Sequence, residues 1–314
     1  MKAVAVNAFG TAPVLMDLVR PVPEAGQILV KLQASGLNPF DWRVGDGILK
    51  GKIPHLFPLI LGVDGAGVVE AIGADVQRFK PGDRVLGQFL FGRAGQGSYA
   101  DYAVIDQNAV LSRYPQTLPA TLAAALPTAG ITALQLSQRL DLAPGSTVLI
   151  VGATGGVGSF LTQLVTMNEL RVIATASGLA AERMRVLGAV KTLDYHATPI
   201  DEWIGTHYPE GIDALVDLVS DAAGFALHAS LVKNGGVALS TVWSARADEL
   251  LARGIKGGNF EVKATSADLD LLVRTAVAGE LSIPVERQIT LAQVPAALAE
   301  NRAGGARGKT VVVL

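Results

Sequence analysis

Two short stretches carry residue types that could do chemistry. The first is GATGGVG, residues 152–158, which follows the apolar run TVLIV at 147–151. A glycine turn between a buried strand and a helix leaves main-chain N–H groups and the positive helix terminus bare, which suits a diphosphate. Against the dinucleotide pattern G-x-G-x-x-G, Ala153, Gly155 and Gly158 take the three fixed positions, with Thr154, Gly156 and Val157 between them. A plain strand-to-helix turn uses the same glycines, so the surrounding elements must decide between the two. The second stretch is NPFDW, residues 38–42. Asn38 could offer its amide NH₂ to a developing oxyanion. Asp41, three residues on, shares a face with Asn38 if 38–45 is a helical turn. It could orient Asn38, cap the helix start or pair with Arg43. Trp42 reads either as a pocket wall or as core.

The strand after the glycine turn indicates which dinucleotide fits. RVIATAS (171–177) ends on Ser177, where an NAD-preferring site carries a carboxylate for the ribose 2′-OH. Arg183 and Arg185 follow. A hydroxyl with guanidinium groups nearby suits a 2′-phosphate, so NADPH is expected over NADH. The alternative is that both arginines only solvate a helix face. A second glycine run, AGGARGKT at 303–310, resembles an ATP-binding loop, but a strand-like run follows it instead of the helix such a loop requires.

These groups need elements to hold them. Residues 1–113 read as short strands, among them 27–35, 66–73 and 83–91, broken by Gly/Pro turns, which implies a small barrel or sandwich. From about 120 the texture becomes strand–helix alternation, with strands at 147–152, 171–177, 190–195, 212–219 and 235–241. Fully apolar strands alternating with helices predict a parallel sheet covered on both faces. The last fifty residues add a helix at 268–278, a strand near 285–290, a helix at 291–301 and a strand at 309–314. The fold class is therefore α/β, with a β-barrel catalytic domain over 1–115, completed by 266–314, and a doubly wound Rossmann domain over 116–265.

Composition narrows the function. The 314 residues are half hydrophobic and 17% charged, with a net charge of −2, which fits a folded protein and offers no groove for nucleic acid. There are no cysteines, so disulfides and thiolate metal sites are out. The four histidines show no ligand-like spacing. The long uncharged windows 114–138 and 145–168 are broken by proline or glycine, so no membrane span is expected, and the N-terminus lacks a signal-peptide core. The expectation is a soluble, cytoplasmic protein.

Several ordered motifs together resemble the zinc-independent quinone oxidoreductase (zeta-crystallin-like) branch of the medium-chain dehydrogenase/reductase superfamily. They are ASGLNPFDWRVGDG (34–47), FPLILGVDGAGVVEAIG (57–73), FKPGDRVLG (79–87), GSYADYAVI (97–105), AAALPTAGITAL (123–134), VGATGGVGS (151–159), LDY (193–195) and the closing GKTVVVL. The resemblance implies a GroES-like domain, a Rossmann domain, NADPH as cofactor and a homodimer, for which GNFEVKAT (258–265) is the candidate edge strand. Zinc-dependent relatives carry Cys near position 38 and a His-Glu pair near 63–64. This chain has Asn38, Val63 and Asp64, too few ligands for zinc, and Asp64 reads as a buried structural acid. By the same resemblance Thr128 and Thr132 reach the nicotinamide (or cap a helix), and Tyr195 lies on the adenosine side or packs by a strand end. Thr241 and Val242 face the nicotinamide. Lys309 reaches the cofactor phosphates or lies on the surface.

Without a metal to polarise an alcohol, the expected reaction is hydride transfer to a quinone or an activated α,β-unsaturated carbonyl. A stand-alone enoyl reductase of polyketide or fatty-acyl chemistry is the nearest alternative. A low-turnover NADPH-binding regulator or crystallin-like protein is the alternative of another class.

Overall fold

In a computed structural model, which describes residues 1–90, 96–304 and 308–314, the chain forms two units. Met1–Ile131 and Ala264–Leu314 make the first, and Thr132–Lys263 the second. The boundary falls inside a continuous helix and not at 115/116. The change of texture near residue 120 marks the first helix of a helical segment, and the second unit begins twelve residues later, at Thr132. Position 91 of the expected 83–91 strand, and 305–307 of the ATP-loop-like run, lie outside the described residues.

The N-terminal part of the first unit contains β1 (Lys2–Val6), β2 (Val14–Asp17), β3 (Gln27–Gly36), helix α1 (Pro39–Gly45), β4 (Leu59–Ile60), β5 (Asp64–Ile72), β6 (Arg84–Gln88), β7 (Tyr102–Asp106) and β8 (Leu111–Arg113). Two helices follow, α2 (Ala120–Ala123) and α3 (Pro127–Leu140). The long strand β3 organises the sheet. It pairs antiparallel with β5 along most of its length and with β7 over Gln27–Lys31. Side chains of Ile28, Val30 and Leu32 alternate inward and meet Val69, Val85, Phe89 and Ile105 in one core cluster.

The second unit is a six-stranded, all-parallel sheet of β9 (Thr147–Val151), β10 (Arg171–Thr175), β11 (Lys191–Leu193), β12 (Ile212–Asp217), β13 (Val232–Ser240) and β14 (Lys256–Asn259). Helices α4 (Gly156–Met167), α5 (Gly178–Val186), α6 (Ile200–His207), α7 (Ala222–Ala229) and α8 (Ala247–Ala252) connect them. Every residue of β9 is buried, which explains its unbroken apolar run. The strand order is β11-β10-β9-β12-β13-β14. Chain order therefore reverses beside β9, the switch point at which doubly wound sheets bind dinucleotides. The expected edge strand stands at 256–259 and not at 258–265. It ends at Asn259, and the chain leaves the sheet at Phe260.

The C-terminal part returns to the first unit as α9 (Ser266–Val277), β15 (Val285–Thr290), a 3₁₀ turn (Leu291–Gln293), α10 (Val294–Arg302) and β16 (Lys309–Val313). Strand β16 pairs with the end of β3, Val311 to Val313 lying opposite Gly36 to Ala34. That pairing carries Lys309 to the start of α1. Among the described residues, no helix is long and apolar enough to cross a membrane.

Candidate functional site

The glycine turn lies as its sequence requires. Gly152 leaves β9 with φ 83°, a left-handed conformation that favours glycine, and Gly155 precedes α4 with no side-chain cap on the helix start. A Cβ on Gly158 would sit 2.5 Å from the carbonyl oxygens of both Gly152 and Ala153, so only glycine lets the helix pack this closely against the turn. The Gly152 N–H donates to Thr175 Oγ1 at 3.0 Å, which ties the turn to the end of β10. Arg183, on α5, donates from Nη2 to the Thr154 carbonyl at 3.2 Å, and burial lowers its guanidinium pKa. Arg183 therefore lies against the turn. Arg185 points elsewhere, to Glu182 and Thr192. Ser177 is half-buried just before α5, and the first turn of that helix carries no acid. Tyr195 is exposed beyond β11, its ring against His196. Thr241 and Val242 are half-buried past β13.

The Asn38 region is a closed polar network inside the first unit. Asp41 is fully buried. Its carboxylate accepts the Asn38 N–H at 2.7 Å, the Val63 N–H at 3.0 Å and the Tyr99 O–H at 2.5 Å. Burial pushes the Asp41 carboxyl up to about 7 against the opposing pull of these donors, and the same burial, with the Asp41 charge beside it, raises the Tyr99 phenol well above its usual value. This corrects the expectation of a catalytic Asp41. Both of its oxygens are engaged inside the fold, and it acts as a positioning residue that fixes the backbone at Asn38 and Val63.

Asp64, also fully buried, accepts from Asn38 Nδ2 at 2.9 Å, Thr128 N–H at 3.1 Å, Thr128 Oγ1 at 2.6 Å and Lys309 Nζ at 3.2 Å. Lys309, 2% exposed, also donates to Asn38 Oδ1 at 2.6 Å. Gly36 makes this possible, since a Cβ there would come within 3.1 Å of both Asp64 Cβ and Lys309 Cε and 2.3 Å from the Ala124 carbonyl. Two expectations are corrected here. Lys309 is neither on the surface nor extended toward phosphates, because its ammonium is the buried counter-ion of Asp64. Asn38 does not hold its NH₂ open for an oxyanion, because one hydrogen goes to Asp64 and the other faces the Gly36 carbonyl at 3.4 Å. Lys309 on one side and Asp64 on the other fix which way the amide points.

Trp42 donates its indole N–H to Asn301 Oδ1 at 3.1 Å and packs against the core cluster of Val44, Leu59 and Leu61. It also walls a cavity of about 350 Å³ with Val6, Leu61 and Leu298, which no member of the Asn38–Asp64 network lines. Trp42 is thus part core and part wall of a cavity apart from the network, and a catalytic role is corrected, because its polar atom is committed to α10. Thr132 is buried on α3, one turn beyond Thr128, and Gln88 Nε2 donates to Thr128 Oγ1 at 3.2 Å. Tyr99 and Gln88 were not legible in the sequence. Each meets its partner across tens of residues; Tyr99 stands in the GSYADYAVI run, but nothing in that run points to Asp41, and Gln88 lies outside every motif.

This donor set does not suit zinc. It offers one carboxylate and an amide, and a lysine ammonium already holds the cation position. Among the described residues, no group of three His, Cys, Asp or Glu could hold a metal ion.

A family model described as the alcohol dehydrogenase GroES-like domain matches residues 24–116, and one described as zinc-binding dehydrogenase matches 187–312. The chain is 30% identical over 326 aligned residues to the chloroplastic quinone-oxidoreductase QR1 of Triphysaria versicolor, covering 99% of this chain and 98% of the relative. It is 31% identical to the 2-methylene-furan-3-one reductase of Solanum lycopersicum, over 75% of this chain and 61% of that one. Among solved structures, the quinone oxidoreductase from Coxiella burnetii superposes with a TM-score of 0.88 at 27% identity, covering 100% of this chain and 99% of that one.

Proposed function

Because the chain belongs to the zinc-independent quinone oxidoreductase branch of the medium-chain dehydrogenase/reductase superfamily and is an NAD(P)H-dependent oxidoreductase acting on quinone- or enone-type acceptors, we propose that its cofactor is NADPH and its acceptors are quinones and activated enones. The observation that carries this reading is the end of β10. Ser177 stands there in place of a carboxylate, and the Arg183 guanidinium lies on the glycine turn at 3.2 Å from the Thr154 carbonyl. A carboxylate would repel a 2′-phosphate, whereas this hydroxyl and cation attract it.

The residues present fit the cofactor. The N–H groups of Gly156 to Gly158, at the uncapped start of α4, would receive the diphosphate, Ser177 and Arg183 the 2′-phosphate, and Tyr195 the adenosine side. Thr132, Thr241 and Val242, all of the second unit, would lie at the nicotinamide end and exclude water from it. The chemistry supplied by bound NADPH is hydride donation. Asp64 and Gln88 hold the Thr128 hydroxyl in one orientation, and Asp41 holds the backbone from which Asn38 reaches Asp64. A conjugated acceptor suits such a site, since its negative charge delocalises onto oxygen without a Lewis acid. We further assign a homodimer paired through the exposed sheet edge β14, and a cytoplasmic location.

The test is cofactor oxidation with 1,4-benzoquinone, 9,10-phenanthrenequinone and a series of enones, each with NADPH and NADH, alongside calorimetric binding of both reduced cofactors. The expected result is turnover with quinones and at least tenfold tighter binding of NADPH. Equal affinity for the two cofactors would refute the role given to Ser177 and Arg183. Tight NADPH binding with no oxidation by any acceptor would instead mark a binding protein.

A further inference from the structure

Along the carboxyl edge of the parallel sheet the chain leaves a row of apolar side chains in solvent. In sheet order they are Tyr195 after β11, Leu179 after β10, Val219 after β12 and Trp243 after β13. Single exposed apolar residues are ordinary. A row at the ends of four of the six strands, on the edge where the glycine turn opens, has the form of a ligand platform.

Trp243 departs furthest from what folding alone would select. It is 66% exposed and holds φ at 63°, the left-handed region that disfavours a bulky side chain. The turn that carries it is pinned from both sides. Thr241 N–H donates to the Asp217 carbonyl at 3.2 Å, and Val242 and Ser244 N–H both donate to Ser240 Oγ, at 3.3 and 3.2 Å. Ser244 Oγ donates to the Ser220 carbonyl. These bonds fix a strained backbone whose visible effect is to direct an indole outward, next to the residues assigned to the nicotinamide. An indole is electron-rich and flat, and a quinone ring is electron-poor and flat, so the pair favours offset stacking.

We propose that Trp243 is the specificity-determining wall of the acceptor site, stacking on the ring of fused-ring quinones and giving them preference over acyclic enones. This rests on the hydride-transfer reading above. It adds a substrate class within that reading and a residue that selects it.

The experiment compares the wild type with W243G and W243F. Glycine is the informative replacement because it removes the indole from a left-handed position without strain, so the unfolding midpoint of W243G should equal or exceed that of the wild type. The expected result is a KM for 9,10-phenanthrenequinone raised about five- to tenfold in W243G and largely recovered in W243F. The KM for but-3-en-2-one and the Kd for NADPH and NADP⁺ should stay within twofold. As a readout apart from turnover, 9,10-phenanthrenequinone titrated into NADP⁺-loaded protein should quench a component of tryptophan emission that both variants lack. A uniform rise in KM for all acceptors, or a shift in either cofactor Kd, overturns the proposal and assigns the indole to the fold or to the cofactor. Unchanged quinone kinetics overturn it outright. A wild type that oxidises NADPH with no acceptor overturns the functional reading itself, which separates that failure from this one.

Discussion

Replacing Lys309 by methionine tests whether the buried Lys309–Asp64 pair is the centre of the catalytic domain. Methionine keeps the length of the stem and removes only the charge and its donors. Asp64 then keeps three donors, from Asn38 and Thr128, but sits in a region with no solvent access and no cation at 3.2 Å. Removing one partner of a buried pair costs about 3–5 kcal/mol, because the remaining charge is stranded. Asn38 Oδ1 also loses its 2.6 Å donor, so the upper half of that range is expected. Spread over a unit of this size, the loss corresponds to a fall in Tm of roughly 8–20 °C. D64N should cost about 2–4 kcal/mol. The double variant K309M/D64N should recover at least about 2 kcal/mol of the sum of the two, since neither charge is then left alone. Calorimetric unfolding of all four proteins at pH 7.5 measures the cycle. A K309M variant within 1 kcal/mol of wild type, or strict additivity in the double variant, refutes the ion pair as a structural unit.

Three further outcomes follow from the same geometry. G158A should lose stability by about 1–3 kcal/mol, although alanine normally favours a helix interior, because its Cβ would meet two carbonyl oxygens at 2.5 Å; NADPH heat in calorimetry should vanish with it. R183A should weaken NADPH binding about tenfold or more and leave NADH within twofold, and equal loss for both would show that the guanidinium only supports the turn. Asp41 sets a pH dependence whose sign is fixed by its raised pKa. Between about pH 4 and 7 the unfolded chain has released this proton and the folded chain has kept it, so stability falls as pH rises through that window and levels off above about 7. The full change is about 4 kcal/mol, and urea unfolding from pH 4.5 to 8 should show the slope in wild type and lose it in D41N.

The parts legible in sequence and the parts that were not differ in the range of the interactions involved. The parallel sheet was plain because β9, β10 and β12 are buried on both faces and must be written as apolar runs, and the turn after β9 was plain because only glycines satisfy its backbone and its packing. Asn38, Asp41 and Asp64 drew attention by their types and neighbours, but their partners could not be read locally. Lys309 lies 271 positions from Asn38 and opens the apolar strand KTVVV, where a leading lysine looks like an ordinary polar flank. Tyr99 lies 58 positions from the Asp41 it binds. Long-range pairings of this kind leave no spacing to detect. For that reason a lysine that is buried looked like a surface residue or a phosphate ligand, while the acid at 64 was read as buried without its counter-ion being seen.

The Lys309–Asp64 pair also bears on which acceptors the protein can reduce. A metal centre places a cation where a substrate oxygen can coordinate it. Here the positive charge belongs to an ammonium that already spends its donors on Asn38 and Asp64 and is shut off from solvent. It stabilises the carboxylate retained at position 64, and through Asn38 and Thr128 it stiffens the inner wall of the domain. It cannot draw electrons from an alcohol or an isolated carbonyl, since reaching either would break both of its bonds. An acceptor reduced without such a cation must spread its negative charge through its own conjugation. Quinones and enones meet that requirement.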